Sequence, residues 1–315
     1  MKFYTSVLPY RGRLLVRGVD KDGTQKKYRI NYKPSLFVPV GKETKYKTLD
    51  GRYVERIKFD SMPEATKWVN EYKNVTNFEY FGNTRHQYPF IADEFKGKID
   101  WDMNKIKLLT IDIECESENG FPSPEKADQP LICITVKDHT TKKIIVFGMG
   151  NFVNDREDVQ YINCVTETGL VETFTKFWVE YNPDIITGWN VKFFDIPYLM
   201  NRFRYLMGDE WLNQFSPWGI VEQKSASVLF ASREQQVWNI MGVDTLDYLD
   251  LYRKFTFVRR ESYKLDYIGE VELGQNKLDN PYDTFKEFYS NDYQRFVEYN
   301  IQDVELVDKL EDKMQ

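Results

Sequence analysis

Residues 107–115 read KLLTIDIEC. The run is apolar apart from a lysine, a threonine and two carboxylates, and it is rich in Leu and Ile, which predicts a strand in a core. Strand alternation puts Leu108, Thr110, Asp112 and Glu114 on one face and Leu109, Ile111 and Ile113 on the other. Two carboxylates therefore point the same way at the end of a strand. Like charges this close raise each other's pKa and cost stability. A hard divalent cation, Mg2+ or Mn2+, offsets that cost because it takes oxygen ligands. Taken alone, D-x-E is more often a strand end whose two acids are simply hydrated.

Outward from this strand, LICITVKD (131–138) and KKIIVFGMG (142–150) predict a hairpin joined to it. A helix is expected over 167–181, broken by Pro183, and a short strand DIITGWN (184–190) ends at Gly188. Further on lie a helix over 195–206, a long hairpin over 221–240 turning at 231–233, and a strand-to-helix passage at VDTLDYLDLYRKF (243–255). A final helix is expected over about 291–310, capped by Ser290. Strands mixed with helices of this length indicate an α/β (α+β) domain over 105–315.

Residues 1–104 predict a smaller α+β module. LLVRGVD, KKYRINY and SLFVPV read as short strands with a turn at Asp22 and Gly23. A helix is expected over 62–72, with Ser61 and Glu64 forming a capping box. Residues 83–104, with Pro89 and scattered charge, read as a connector.

The 315 residues are 42% hydrophobic and 16% aromatic, ample for real cores. No apolar run is long enough to span a bilayer, and the N-terminus lacks the apolar core of a signal peptide. Cys115, Cys133 and Cys164 form neither a metal-ligand spacing nor an even disulfide set, which fits a reducing cytoplasm. Two histidines, His86 and His139, argue against a His-based zinc site or a Ser-His-Asp triad. The net charge of −6 hides an asymmetry: residues 1–100 carry 20 Lys and Arg against 12 Asp and Glu, the remainder 23 against 37. A basic first part can hold a polyanion; an acidic second part repels phosphate unless cations neutralise it.

Two further acids stand out. On the final helix Phe296, Tyr299, Asp303, Leu306 and Leu310 fall on one stripe, so an Asp lies mid-stripe with a tyrosine one turn before it. Such an Asp is expensive unless paired or metal-bound; the plainer alternative is an Asp at the rim that caps a loop. Asp195 closes NVKFFD (190–195) and opens a helix, where an acid is favourable in any case. Asp244, Asp247 and Asp250 are read as helix-start and surface residues.

In order, these elements are D-I-E in a strand, N-x(4)-D before a helix and Y-x(3)-D on a last helix. The set resembles the three exonuclease motifs of DEDD-type 3′–5′ exonucleases, and Tyr299 points to the tyrosine-using (DEDDy) class. YKPSLFV (32–38), GFPSP (120–124), ITGWNVKFFDIPY (186–198), TLDYLDLYRKFTF (245–257), SYKLDYI (262–268) and YNIQDV (299–304) further resemble T-even-type bacteriophage DNA polymerases of family B, across their N-terminal and proofreading domains. Nothing like the polymerase signatures DxxSLYPS or YGDTDS is present, so polymerisation is not expected of this chain alone; a split gene or an excised front end would account for it.

The resemblance implies a ribonuclease H-like proofreading domain behind a small N-terminal domain. It implies that Asp112, Glu114, Asp195 and Asp303 hold two Mg2+ or Mn2+ ions, that Tyr299 orients the attacking water, and that the substrate is the 3′ end of single-stranded DNA. Phe121 would wedge against terminal bases, Asn190 would contact the strand, and Arg233, on the 221–240 hairpin with Lys224 near it, would contact DNA. The implied partners are a separate or downstream polymerase chain and, for the first module, template strand or the enzyme's own messenger RNA. Tyr28, Tyr32 and Phe37 there could stack bases, though such aromatics are more often core. The competing expectation is a nucleic-acid-binding regulator or polymerase-docking module with little catalysis.

Overall fold

The computed structural model describes residues 1–118, 120–227 and 234–314. The chain divides into two compact units, Met1–Lys105 and Ile106–Gln315.

In the first unit, strands β1 (Phe3–Tyr10), β2 (Arg13–Val19) and β3 (Gln25–Ile30) form an antiparallel sheet. The β2–β3 turn is closed by Asp22, whose carboxylate accepts from the Thr24 N–H at 3.0 Å. Strands β4 (Ser35–Pro39), β5 (Tyr46–Lys47) and β6 (Tyr53–Lys58) form a second sheet. Helix α1 (Met62–Tyr72) starts at Ser61, whose hydroxyl accepts from the Glu64 N–H. The reciprocal half of the expected capping box is displaced by one residue: the Glu64 carboxylate accepts from the Asp60 N–H at 2.7 Å, not from that of Ser61. The supposed connector contains helix α2 (Gln87–Glu94). Pro89 lies in its first turn, where a missing N–H leaves no helical bond unmade, and Phe90 pulls the helix into a core with Leu14, Val16 and Met62.

The second unit is built on a six-stranded sheet in the order β10-β9-β8-β7-β11-β14. Strands β7 (Leu108–Cys115), β8 (Leu131–Asp138) and β9 (Ile144–Gly148) pair antiparallel. Strand β10 (Val159–Asn163), not anticipated from its polar sequence, adds parallel to β9. Helix α3 (Glu167–Tyr181) is capped by Thr166 and stops at Asn182, left-handed at φ 54°, just before Pro183. Strand β11 (Ile185–Gly188) joins β7 in parallel, and helix α4 (Asp195–Met207) follows it. β12 (Val221–Ser227) and β13 (Glu234–Ile240) form the expected hairpin, whose tip lies outside the described residues. β14 (Asp244–Asp247) completes the sheet and passes into α5 (Tyr248–Phe255).

Three helices follow, α6 (Leu265–Leu273), α7 (Phe285–Asn291) and α8 (Tyr293–Met314). Ser290 sits inside α7 and does not cap the last helix. The break comes at Asp292, whose carboxylate accepts from the Arg295 N–H at 3.2 Å. Leu109, Ile111 and Ile113 of β7 pack with α3 and α4 in one core; Ile132, Cys133, Ile144 and Val146 pack with α7 and α8 in another. The sheet is therefore covered by helices on both faces, while Asp112 and Glu114 near the end of β7 stay partly exposed.

Candidate metal centre

The three parallel strands β7, β11 and β14 end at the same edge of the sheet, and the site forms there. Asp112 and Glu114 leave the end of β7 toward α8. A register shift against β8 between Glu114 and Cys115 marks the place where the strand stops. Helix α8 brings Asp303 to meet them. One carboxylate oxygen from each of Asp112, Glu114 and Asp303 lies within 4.8 Å of the others, the one such group of three among the described residues.

Asp195 borders this trio without joining it. It is buried at the first turn of α4, and its Oδ1 accepts from the Ile113 N–H at 3.2 Å. The bond pins α4 to the backbone between the two β7 acids. The fourth acid is thus close enough to act electrostatically on both, while its own oxygen is committed to the strand.

Among the described residues the cation bonded to these groups is a single lysine, Lys277, and the proton affinities of the acids show the strain. Burial, then the charges of Asp303, Asp195 and Glu114, hold the Asp112 carboxyl well above its ordinary range. Burial, then Asp303, push Glu114 up to about 8, and burial raises Asp195 to about 7 despite the Ile113 N–H. Asp303, only 3% exposed, is also raised, burial outweighing its lysine partner. Its Oδ1 is buried with no hydrogen-bond partner. An orphaned carboxylate oxygen on an acid grouped with two others leaves an incomplete ligand set of hard oxygen donors, which fits a hard divalent cation and not a soft metal.

Two residues that sequence reading passed over complete the surroundings. Lys277 donates to Asp303 Oδ2, lies 3.4 Å from the Tyr299 hydroxyl, and sits 5.0 Å from the centre of the Tyr299 ring. Burial alone would pull its ammonium pKa down, but Asp303, Tyr299 and Asp112 outweigh that and hold it charged. Lys277 comes from an irregular segment after α6, with no periodicity to expose it. It is aimed by its own N–H, which donates to Asp266 at 2.8 Å, and by Gln302, which accepts from the Leu278 N–H and donates to the Asn276 carbonyl at 3.1 Å. Asn300, fully buried, donates from Nδ2 to Asp112 at 2.5 Å, while its Oδ1 accepts from the Thr135 hydroxyl and the Cys133 thiol. A buried Asn beside Tyr299 was a readable signal, since such an amide needs partners.

Tyr299 is half-buried and packs edge-on against Phe288 at 5.9 Å. Burial, countered in part by Lys277, keeps its hydroxyl protonated throughout the ordinary range. Asp247 corrects the expectation of a surface acid. It caps α5 but is buried, and it accepts from the N–H groups of Asn190, Lys192 and Leu249 at 3.0–3.1 Å. Burial raises its carboxyl to about 6. It holds Asn190 in the left-handed region (φ 66°), a conformation Asn tolerates, and so shapes the turn leading to Asp195.

Phe121 is 86% exposed, its ring 5.4 Å from that of Phe194. Arg233 lies outside the described residues; Lys224 is exposed on β12. In the first unit Tyr32 donates to Asp93 at 2.6 Å and packs on Phe90, Phe37 packs on Tyr46, and Tyr28 is exposed. Among the described residues no helix is long and apolar enough to cross a membrane.

A mixed sheet with an acid pair at the end of its central strand, faced by a third acid on the last helix, is the build of an exonuclease-type domain. The chain belongs to the DNA polymerase family B exonuclease domain family, which matches residues 64–268 and so includes Asp112, Glu114 and Asp195. It is 31% identical to the DNA-directed DNA polymerase of Escherichia phage RB69 over 100% of this chain, and 29% identical to that of Enterobacteria phage T4 over 98%. These full-length similarities place it with the exonuclease region of T-even-type family B polymerases. It is also 30% identical, over 66% of its length, to the DNA polymerase delta catalytic subunit of Caenorhabditis elegans. The chain spans 37% of the length of the two phage relatives.

Proposed function

We propose that the second unit is a ribonuclease H-like, DEDDy-type 3′–5′ exonuclease that removes nucleotides from single-stranded DNA ends, as the proofreading part of a phage replicative polymerase. The observation that carries the proposal is the close-set trio Asp112, Glu114 and Asp303, with Asp303 buried and its Oδ1 orphaned.

Asp112, Glu114 and Asp303 would hold divalent cations, with Asp195 at the border completing the set for a second ion. Bound there, such ions supply a water of lowered pKa and Lewis acidity toward the departing 3′ oxygen. The chain's own groups do the rest. The Tyr299 hydroxyl, one turn from Asp303, can hold an attacking water but stays protonated and so cannot take its proton. Lys277 keeps a positive charge beside the cluster, favourable to the extra negative charge of a phosphodiester under attack. Asn300 holds the Asp112 carboxylate in one orientation by a charge-assisted bond. Phe121, exposed on its loop, offers a sequence-tolerant stacking face, and Asn190 would meet the incoming strand.

The first unit would hold template strand or messenger RNA. Lys26, Lys27, Tyr28 and Arg29 are all exposed along β3, which favours a single-stranded polyanion there.

The test is digestion of a 5′-labelled single-stranded oligonucleotide with Mg2+ or Mn2+, with and without chelator, beside Asp112→Ala. The expected result is metal-dependent shortening by the wild-type chain and none by the variant. Full-length label under every metal condition, with nucleic acid still bound, would leave only the binding-module reading.

A further inference from the structure

Strand β8 turns two buried hydrogen-bonding side chains toward the acid cluster. Thr135 is the cross-strand partner of Asp112, and Cys133 that of Glu114, so all four side chains share one face of the sheet. Thr135 and Cys133 are fully buried, as is Asn300 on α8. The Thr135 hydroxyl donates to Asn300 Oδ1, and the Cys133 thiol donates to the same atom at 3.4 Å. At the other end of the amide, Nδ2 donates to Asp112 Oδ2 at 2.5 Å. A chain of bonds thus runs from β8 through α8 to β7, and it ends on a carboxylate of the trio.

This chain has a direction. An asparagine amide carries a donor and an acceptor of nearly the same shape, and its neighbours decide which way it faces. Turned over, Asn300 would set its carbonyl oxygen against the Asp112 carboxylate, two acceptors with no hydrogen between them. The donors on β8 hold the amide the other way. Burial pushes the Cys133 thiol up, so it keeps its proton and remains a donor, though a weak one. The Thr135 hydroxyl is the stronger of the two. An amide that only tied α8 to β8 would have no need of a charged acceptor at its far end.

From this geometry we infer that Thr135, acting through Asn300, is a positioning residue for the metal centre: it fixes the amide that fixes Asp112, and so sets how tightly the trio takes a divalent cation. The inference rests on the metal reading of the trio, and it extends the centre to a strand that contributes none of its acids. A carboxylate held through one oxygen presents the other in a fixed direction, and groups that orient a ligand in this way weigh about 10- to 100-fold in metal affinity. Thr135→Val keeps the shape and loses the hydroxyl, whereas Thr135→Ser keeps the hydroxyl and loses a methyl. The two variants therefore separate the hydrogen bond from the packing.

The experiment measures Mn2+ binding to the chain without DNA, from the loss of the free-ion EPR signal, and protection of the Asn300 side-chain amide from hydrogen exchange, by NMR in chelator. Thr135→Val should weaken Mn2+ binding by about 10-fold, while Thr135→Ser stays within about threefold of wild type. Amide protection should fall in Thr135→Val and be kept in Thr135→Ser. In cleavage of a single strand, the Mn2+ concentration for half-maximal rate should rise by about 10-fold in Thr135→Val, with kcat at saturating Mn2+ falling less. In an Asn300→Ala background Thr135→Val should add little, because the two act through one amide. Unchanged Mn2+ affinity in Thr135→Val, an equal loss in Thr135→Ser, or full additivity with Asn300→Ala would overturn the inference. A wild-type chain that takes up no Mn2+ would instead count against the metal reading, and the hold of Thr135 on Asn300 would then stand or fall on amide protection.

Discussion

Lys277→Met offers the sharpest test of how the acid cluster is balanced. Among the described residues the Lys277 ammonium is the positive side chain bonded to the trio, through Asp303. The side chain is 21% exposed and Asp303 3%, so the pair is largely shielded and bulk screening is a partial discount only. Removing one partner of a buried pair costs roughly 3–5 kcal/mol. For a unit of this size that corresponds to a fall in Tm of roughly 6–20 °C. Methionine keeps the volume of the stem, so the loss is electrostatic and not a cavity. The assay is thermal unfolding in chelator at pH 8 and at pH 5.5, then with Mg2+ or Mn2+. The deficit should be largest at pH 8 and shrink at pH 5.5, where the raised carboxyls hold their protons. Divalent cation should raise Tm more in the variant than in wild type, because the ammonium no longer competes for Asp303; 100-fold saturation is worth about 2.7 kcal/mol. Exonuclease turnover should fall in the variant even at saturating metal. A Tm in chelator at pH 8 within about 2 °C of wild type, or an equal metal shift in the two proteins, would refute the assigned balance.

In chelator the wild-type protein should lose stability as pH rises, and metal should reverse it. A carboxyl whose folded pKa exceeds its unfolded value stabilises fully below the latter and loses this through the former, so Glu114 sets a window from 4.5 to about 8. Denaturant melts at pH 6 and pH 8 check this; equal stability at both would contradict it. Asp303→Asn should abolish cleavage by at least about 1000-fold and lower Tm in chelator, since it leaves the Lys277 ammonium without its partner; a higher Tm would show that repulsion within the trio outweighs the pair. Asp247→Ala strands three N–H groups and should cost about 2–4 kcal/mol by chemical denaturation, with single-strand cleavage falling as the Asn190 turn loosens; an unchanged midpoint would argue against its role as a buried clamp.

Much of this site was legible because its parts lie on regular elements. Period-two alternation put Asp112 and Glu114 on one face of β7, and a helical stripe put Tyr299 and Asp303 on one side of α8. Pro183 marked the end of α3 through local chemistry alone. What escaped came from irregular chain or from contacts between distant segments. Lys277 has no pattern around it, and Asn300 shows its purpose only when Thr135, Cys133 and Asp112 surround it. Helix α2 was hidden by Pro89 until tertiary packing of Phe90 placed it.

The sequence by itself determined which side chains could share a face and in what order the acids arrive, because periodicity is a property of the local backbone. Only the tertiary structure decided that three of the four carboxylates meet while Asp195 stands one bond away on the Ile113 N–H. It alone decided that Lys277 pairs with Asp303. Those outcomes depend on the distance between β7, α4 and α8, which is set by the packing of both faces of the sheet and is written in no single segment.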